Sequence, residues 1–235
     1  LVGENGAGKS TLIKLITGVY PPDSGTIIYQ GQEMKFESPL ESQQNGISVV
    51  HQELNLVECL DVAENIFLGR PIMKRRAGLP LIDWKKIYDE AAKLMERLKI
   101  TVDLKTMMSE LSVAQKQIIE IAKSISYSCK LMIMDEPSAT LTERELVILF
   151  DILKRLREEG VTVIYISHRL DEIFQLADTV TVLRDGKHIK TMKVADTSRP
   201  ELIKHMVGRD VASDYPKEAL DLGPEVLRVE GLTND

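Results

Sequence analysis

The sequence predicts an α/β fold: a mostly parallel sheet, an antiparallel β portion and an inserted α-helical subdomain. Three observations predict it. Short apolar runs at residues 47–50, 131–134 and 161–166 are separated by segments of helical periodicity, the pattern of a largely parallel sheet covered on both faces. Asp185-Gly186 divides two further strand-like runs as a hairpin turn would. Between about 62 and 128 the spacing of apolar residues is almost wholly helical.

The elements follow in order. Residues 8–17 read as a helix closed by Gly18, and Pro21-Pro22-Asp23-Ser24-Gly25 as a dense turn. Two short strands at 26–29 and 34–36 flank the Gly31 turn, and 47–50 suits a buried strand. In the helical block, Asp83 is the expected N-cap of a helix over 84–98. The stretch ELSVAQKQ (110–117) contains a capping box, Ser112 with Gln115, ahead of Ile118, Ile119, Ile121, Ala122 and Ile125 at helical spacing. That start is either an ordinary capped helix or half of an active site. A strand over 131–134 precedes a helix over 142–159, opened by a second capping box of Thr142 and Glu145. A strand at 161–166, a helix at 170–177, strands at 180–183 and 189–194, and a helix at 200–207 complete the reading. No internal repeat or low-complexity segment interrupts it.

Composition narrows the class. At 235 residues, 43% hydrophobic and 28% charged, the chain can bury a real core. No stretch approaches the ~18 to 20 continuous apolar residues that span a bilayer, and no secretory signal opens the chain. Cys59 and Cys129 match no metal or redox spacing, and a reducing, cytosolic setting is the simplest inference. The net charge of −6 argues against a nucleic-acid partner. The basic triplet Lys74-Arg75-Arg76 reads as a solvated surface loop. Both ends look cut. Leu1-Val2 leads straight into a glycine-rich turn, although two residues cannot cross a sheet. Residues 224–232 read as a strand, with Leu227 and Val229 alternating with Arg228 and Glu230, that has no obvious partner.

Several stretches carry chemistry. Gly3-Glu4-Asn5-Gly6-Ala7-Gly8-Lys9-Ser10-Thr11 fits G-x-x-x-x-G-K-[ST], so the core is expected to be that of a P-loop NTPase. Its backbone N–H groups can wrap a phosphate chain at a helix N-terminus, where the dipole favours negative charge. Lys9 can reach the β- and γ-phosphates, Ser10 can ligate Mg²⁺, and Thr11 can reach the α-phosphate. Residues 131–136 form an apolar run ending in Asp135 and Glu136. A buried strand would deliver Asp135 beside the metal, and Glu136 can polarise the attacking water. The pair alone would equally suit a strand followed by an acidic helix cap. The phosphate loop tips the balance. His168 follows the run at 161–166 and is either structural or a γ-phosphate contact. Gln52 follows the run at 47–50 and can touch both Mg²⁺ and water. Both fall where open α/β sheets bind ligands, past the C-terminal ends of strands.

Together these residues resemble the nucleotide-binding domains of ATP-binding cassette (ABC) transporters. The phosphate loop GENGAGKST, the Gln loop VVHQELNLV, the signature LSVAQ, the acidic strand LMIMDEPSATLTERE and the His loop YISHRL occur in the family's order and cover nearly the whole chain. HQELNLV, FLGR (67–70), LSVAQKQIIEIAKS, EPSATLTERE, YISHRLDEI and MVGR (206–209) look like the first of two fused cassettes in bacterial ribose, galactose and xylose importers. The resemblance implies one cassette over 1–223, with its helical subdomain at about 62–128, and the opening of a second cassette at 224–235. It implies ATP and Mg²⁺ as ligands, Glu136, His168 and Gln52 as catalytic residues, and Ser10, Gln52 and Asp135 at the metal. It further implies that Ser112, Val113, Ala114 and Gln115 meet the ATP held by a partner cassette. The partners implied are permease subunits, a second cassette in the same polypeptide and, indirectly, an extracytoplasmic sugar-binding protein, at the cytoplasmic face of the membrane. The family's adenine-stacking aromatic would lie before Leu1. Two departures stand out: Val113 and Ala114 replace the glycines of LSGGQ, and Thr142 stands where Asp is usual. Two unequal ATP sites are expected, with hydrolysis mainly at the one built on Lys9 and Glu136. A soluble ABC protein acting on ribosomes or DNA is the competing class. It would carry a basic helical linker, whereas residues 208–225 are mixed and acidic (Asp210, Asp214, Glu218, Asp221). A non-hydrolysing regulatory cassette is disfavoured by Glu136 and His168.

Overall fold

The computed structural model describes residues 1–52, 54–76, 79–208 and 227–231. Its centre is a parallel sheet of β3 (Ile47–Val50), β6 (Leu131–Asp135) and β7 (Thr162–Ile166), in the order β3-β6-β7. Val50 pairs with Met134, and Met134 with Tyr165, so the three strands finish together. Beyond β7, the Leu1 nitrogen donates to Tyr165 O at 2.8 Å, and Val2 forms a parallel bridge to Val182. The first two residues therefore lie between β7 and β8 (Thr179–Arg184). β8 pairs antiparallel with β9 (Lys187–Lys193) across the Asp185-Gly186 turn, where both residues have positive φ (51° and 73°). That is the geometry of a primed hairpin turn.

Alternation along the strands gives each face its own core. Ile47, Ile133 and Ile166 pack with Ile13 of α1 (Lys9–Ile16) and with Phe36. Val50, Met132, Met134 and Tyr165 join the larger cluster on the other face. The helices there are α5 (Val113–Ile125), α6 (Glu143–Glu158) and α7 (Leu170–Leu176), with α3 (Val62–Ile66) and α4 (Trp84–Leu98) packed further out. In α6, Leu146, Leu149, Phe150, Leu153 and Leu156 fall at helical spacing and are all buried. Both expected capping boxes form, at Ser112/Gln115 and Thr142/Glu145, and Asp83 caps α4 by accepting from the Lys86 N–H. α8 (Arg199–Val207) closes the described part of the domain against β8.

The structure departs from the sequence reading at five points. The second short strand is β2 (Gln32–Met34), paired with β1 (Ile27–Tyr29), and Phe36 lies beyond it as a buried anchor rather than a strand residue. A helix, α2 (Pro39–Gln44), was not foreseen. It is opened by Ser38, whose side chain accepts from the Glu41 N–H, with Pro39 in the first turn, and it is too short for periodicity to reveal. The 62–128 block is not wholly helical: β4 (Met73–Arg76) and β5 (Leu79–Ile82) form an antiparallel hairpin. Pro71 and Pro80 bar helix there, since each lacks an N–H and clashes with the preceding turn. Lys74, Arg75 and Arg76 thus stand on an exposed strand, not a loop, and Lys74 pairs with Asp83 at 3.1 Å. At the other end, 227–230 form no strand, and Leu227 and Val229 are exposed. A strand without a ladder partner has nothing to hold it extended. The rest of the 224–235 segment, the acidic residues Asp210, Asp214, Glu218 and Asp221, and Arg209 and Glu53 lie outside the described residues. Among the described residues, no helix is long and apolar enough to cross a membrane.

Leu153 is fully enclosed between α6 and the sheet. Leu153→Ala is expected to lower unfolding free energy by about 2–5 kcal/mol, the cost of lost burial plus a cavity. The check is a reduced urea midpoint at unchanged slope.

Candidate functional site

The site lies at the C-terminal ends of β3, β6 and β7, faced by the Gly3–Thr11 loop. Val2 aims this loop: its N–H donates to Thr181 O and its carbonyl accepts from the Leu183 N–H, both at 2.9 Å. Glycine is required by two different constraints. Gly6 and Gly8 have positive φ (80° and 97°), which L side chains rarely adopt. A Cβ on Gly3 would sit 2.4 Å from Leu183 O and 2.9 Å from the Ala7 Cβ. The β8–β9 turn buttresses the loop from behind, with the Gly186 N–H donating to Ala7 O at 3.2 Å.

Gly8 caps α1 in a left-handed conformation and supplies no side chain to the first turn. The opening N–H groups of a helix have no intrahelical partner. Those of α1 lie at the end of the Gly3–Thr11 loop, a position where such groups can serve as anion donors. Lys9 is buried, and its ammonium donates to Gly3 O (2.9 Å) and Glu4 O (3.1 Å). This holds a cation inside the loop where a phosphate's oxygens would replace the carbonyls. Ser10 and Thr11 are exposed at the helix start.

Opposite, β6 ends in Asp135, half-buried, with its carboxyl raised above the usual range. Burial is the main cause and Glu136 adds to it, while His51 and Lys9 pull the other way. His51 was not foreseen as a neighbour. The β3–β6 register carries it there, since Val50 pairs with Met134 and the next residues are His51 and Asp135. Glu136 has φ 48°, a left-handed conformation that costs a non-glycine residue roughly 1–2 kcal/mol. Its N–H donates to Ile166 O at 3.0 Å and its carbonyl accepts from the Ala139 N–H at 3.3 Å, which fixes the turn. The turn points the carboxylate at His168, whose Nδ1 lies 3.3 Å from Glu136 Oε2. Strain of this kind collects where a side chain must be aimed.

The expected residues are thus only partly gathered. Lys9, Asp135, Glu136 and His168 converge, and Gln52 is exposed just past β3 on the same edge. The segment after Gln52 is tied to α5: Lys123 Nζ donates to Asn55 O at 2.7 Å and Lys116 pairs with Glu58 at 2.8 Å. Ser112 and Gln115 bond to each other in the capping box rather than to the Gly3–Thr11 loop. The two glycine replacements differ. Val113 is 49% exposed at the helix tip, whereas Ala114 is 8% exposed and packs inward. Of the two, only Val113 is presented at that tip.

The donor set suits a hard divalent cation. A Ser hydroxyl, a carboxylate and an amide carbonyl are oxygen ligands, and Mg²⁺ commonly takes one or two carboxylates while keeping water and phosphate oxygens. Among the described residues no cluster of three His, Cys, Asp or Glu forms an all-protein metal cage.

The family profile described as ABC transporter matches residues 1–139. The ribose import ATP-binding protein RbsA of Geobacillus kaustophilus is 48% identical over 233 residues, covering 99% of this chain and 47% of that protein. The galactose/methyl galactoside import ATP-binding protein MglA of Clostridium tetani is 44% identical, covering all of this chain (100%) and 46% of its own length. The chain spans about half the length of the curated relatives it matches. Among solved structures, the ADP conformation of MJ1267, an ATP-binding cassette of an ABC transporter, superposes with TM-score 0.75 at 26% identity, covering 88% of this chain and 86% of that one.

Asp135 yields a prediction that separates binding from stability. Its folded-state pKa is raised, so ionisation destabilises the fold. That cost is absent below the unfolded carboxylate pKa of ~3.9 and fully present above the raised folded value. Asp135→Asn is therefore expected to raise the thermal midpoint near neutral pH, with the gain shrinking as pH falls through the raised pKa. Scanning calorimetry against pH measures it.

Proposed function

The chain belongs to the ABC transporter family, as an ATP-binding cassette, and from that premise we propose that it binds and hydrolyses ATP to power import of a monosaccharide through a membrane permease. The observation that carries the reading is the meeting of Glu136 and His168, at 3.3 Å, beside Asp135 and opposite the loop that buries Lys9. The relatives' names, ribose import and galactose import, support the sugar class.

In this reading the backbone amides of Gly6 to Thr11 and the Lys9 ammonium hold the β- and γ-phosphates, which displace the Gly3 and Glu4 carbonyls from Lys9. Ser10, Asp135 and Gln52 would hold Mg²⁺, which would supply positive charge against the phosphate oxygens. Glu136 accepts a hydrogen bond from the attacking water and aligns it with the γ-phosphorus. His168 holds the Glu136 carboxylate on one side and contacts the γ-phosphate on the other. The catalysis is positioning and charge stabilisation, as phosphoryl transfer generally requires.

The tip of α5 faces outward, uncommitted to its own loop, as a group acting on a partner cassette's nucleotide would. Two such cassettes then pair head to tail, the second in the same polypeptide, against permease subunits at the cytoplasmic face of the membrane, with an extracytoplasmic sugar-binding protein delivering the sugar. Inequality between the two sites falls to Val113, whose branched side chain keeps the helix tip from the close approach that glycine allows.

Glu136→Gln keeps the shape of the side chain and removes its basicity. It is expected to lower steady-state ATP hydrolysis roughly 10²- to 10⁴-fold while ATP binding persists. Phosphate-release assays alongside nucleotide titration check both halves, and robust turnover in that variant contradicts the assignment.

A further inference from the structure

Resting on the ATPase reading above, we propose that Glu172 is the positioning residue that fixes the Glu136–His168 pair, through the chain segments that carry them. Glu172 sits in the first turn of α7 and is 1% exposed. One of its oxygens, Oε2, accepts three hydroxyl hydrogen bonds: from Ser138 Oγ at 2.8 Å, from Ser167 Oγ at 2.7 Å and from the Tyr165 hydroxyl at 3.0 Å. The other oxygen lies 3.0 Å from Arg169 Nη1. Ser138 is two residues after Glu136, and Ser167 immediately precedes His168. A single carboxylate oxygen therefore grips both segments that present the reacting side chains, and Tyr165 anchors it to β7.

The chemistry favours a carboxylate here. Hydroxyl bonds to an ionised acceptor are shorter and roughly twice as strong as neutral ones, and a buried charge is costly unless it is paired: the three hydroxyls fill Oε2, and Oε1, which accepts no hydrogen bond, is offset by the Arg169 guanidinium. Tyr165 stays protonated, and so remains a donor, because burial and the Glu172 charge both push its phenol upward. Ser167 is held twice, since its Oγ also accepts from the Arg169 N–H at 3.0 Å. Glu136 needs such bracing because its left-handed turn is strained, and the Ile166 carbonyl is the sole backbone brace from β7 on its N–H among the described residues. Glu172 touches neither reacting side chain. Its influence passes through the Glu136–Ser138 turn and the Ser167–His168 step.

The test uses the assembled transporter in lipid, comparing wild type, Glu136→Gln, Glu172→Gln, Ser167→Ala and Ser138→Ala. Glutamine preserves the volume, removes the charge, and turns one acceptor into a donor facing Arg169. The expected result is a fall in kcat of roughly 10- to 100-fold for Glu172→Gln, the scale of a small misplacement of catalytic groups, with KM for ATP changed by less than about 2-fold. Each serine variant should give a smaller loss of the same kind. Glu172→Gln placed on Glu136→Gln should add no further loss, because groups acting as a unit are not additive. If Glu172→Gln does not fold, the two serine variants decide, since each leaves two of the three hydroxyl donors. An unchanged kcat in a folded variant, or a rise in KM with kcat intact, overturns the proposal. The two ways of failing are distinct. If wild type does not hydrolyse ATP, or Glu136→Gln retains turnover, the ATPase reading falls and this inference with it. If those two behave as expected and the Glu172 and serine variants keep full kcat, only the positioning role is wrong.

Discussion

The common register of β3, β6 and β7 is the constraint on which the rest depends. Val50, Met134 and Tyr165 stand abreast, so the residues that follow each strand emerge on one edge. His51 and Gln52 leave β3, Asp135 and Glu136 leave β6, and Ser167 and His168 leave β7. Side chains alternate faces along a strand, so a slip of one residue in β6 would move Ile133 into the larger core and Met132 and Met134 out of it. The same slip would withdraw Asp135 from the edge. Burial of both faces by separate clusters makes that slip costly. The apolar core therefore determines where the carboxylates stand, although none of its side chains does chemistry.

The site is assembled from features that would each weaken an ordinary domain. Asp135 is a half-buried acid whose pKa is raised, Glu136 is left-handed, Lys9 is buried against carbonyls, and Glu172 is a nearly inaccessible acid. Each is compensated locally. Lys9 and His51 offset the Asp135 charge, the Ile166 and Ala139 backbone closes the Glu136 turn, and three hydroxyls fill Glu172 Oε2 while Arg169 pairs with Oε1 by charge alone. These compensations come from elements far apart in sequence, and the packed sheet is what brings them together.

That distance explains what the sequence made legible and what it did not. The Gly3–Thr11 loop, the strand before Asp135 and the capping boxes at Ser112 and Thr142 are local patterns whose physics fits within a few residues, and they appear where expected. The Glu172 cluster joins residues up to 34 apart, and nothing in the run RLDEI distinguishes a buried acid from a solvated one. The β4–β5 hairpin was hidden because a charged, exposed strand lacks alternation, although Pro71 and Pro80 were a readable warning against helix. The inward direction of Ala114 was available from periodicity, since it shares a buried helical stripe with Gln117 and Ile121. The two glycine replacements are therefore not equivalent.

The central claim is that the Lys9 loop and the end of β6 close around one metal-bound nucleotide. Its most direct measurement is titration calorimetry of a non-hydrolysable ATP analogue, with and without Mg²⁺, on the wild type and on Asp135→Asn. Mg²⁺ is expected to tighten binding in the wild type and to have little effect in Asp135→Asn. An undiminished Mg²⁺ dependence in Asp135→Asn would contradict it.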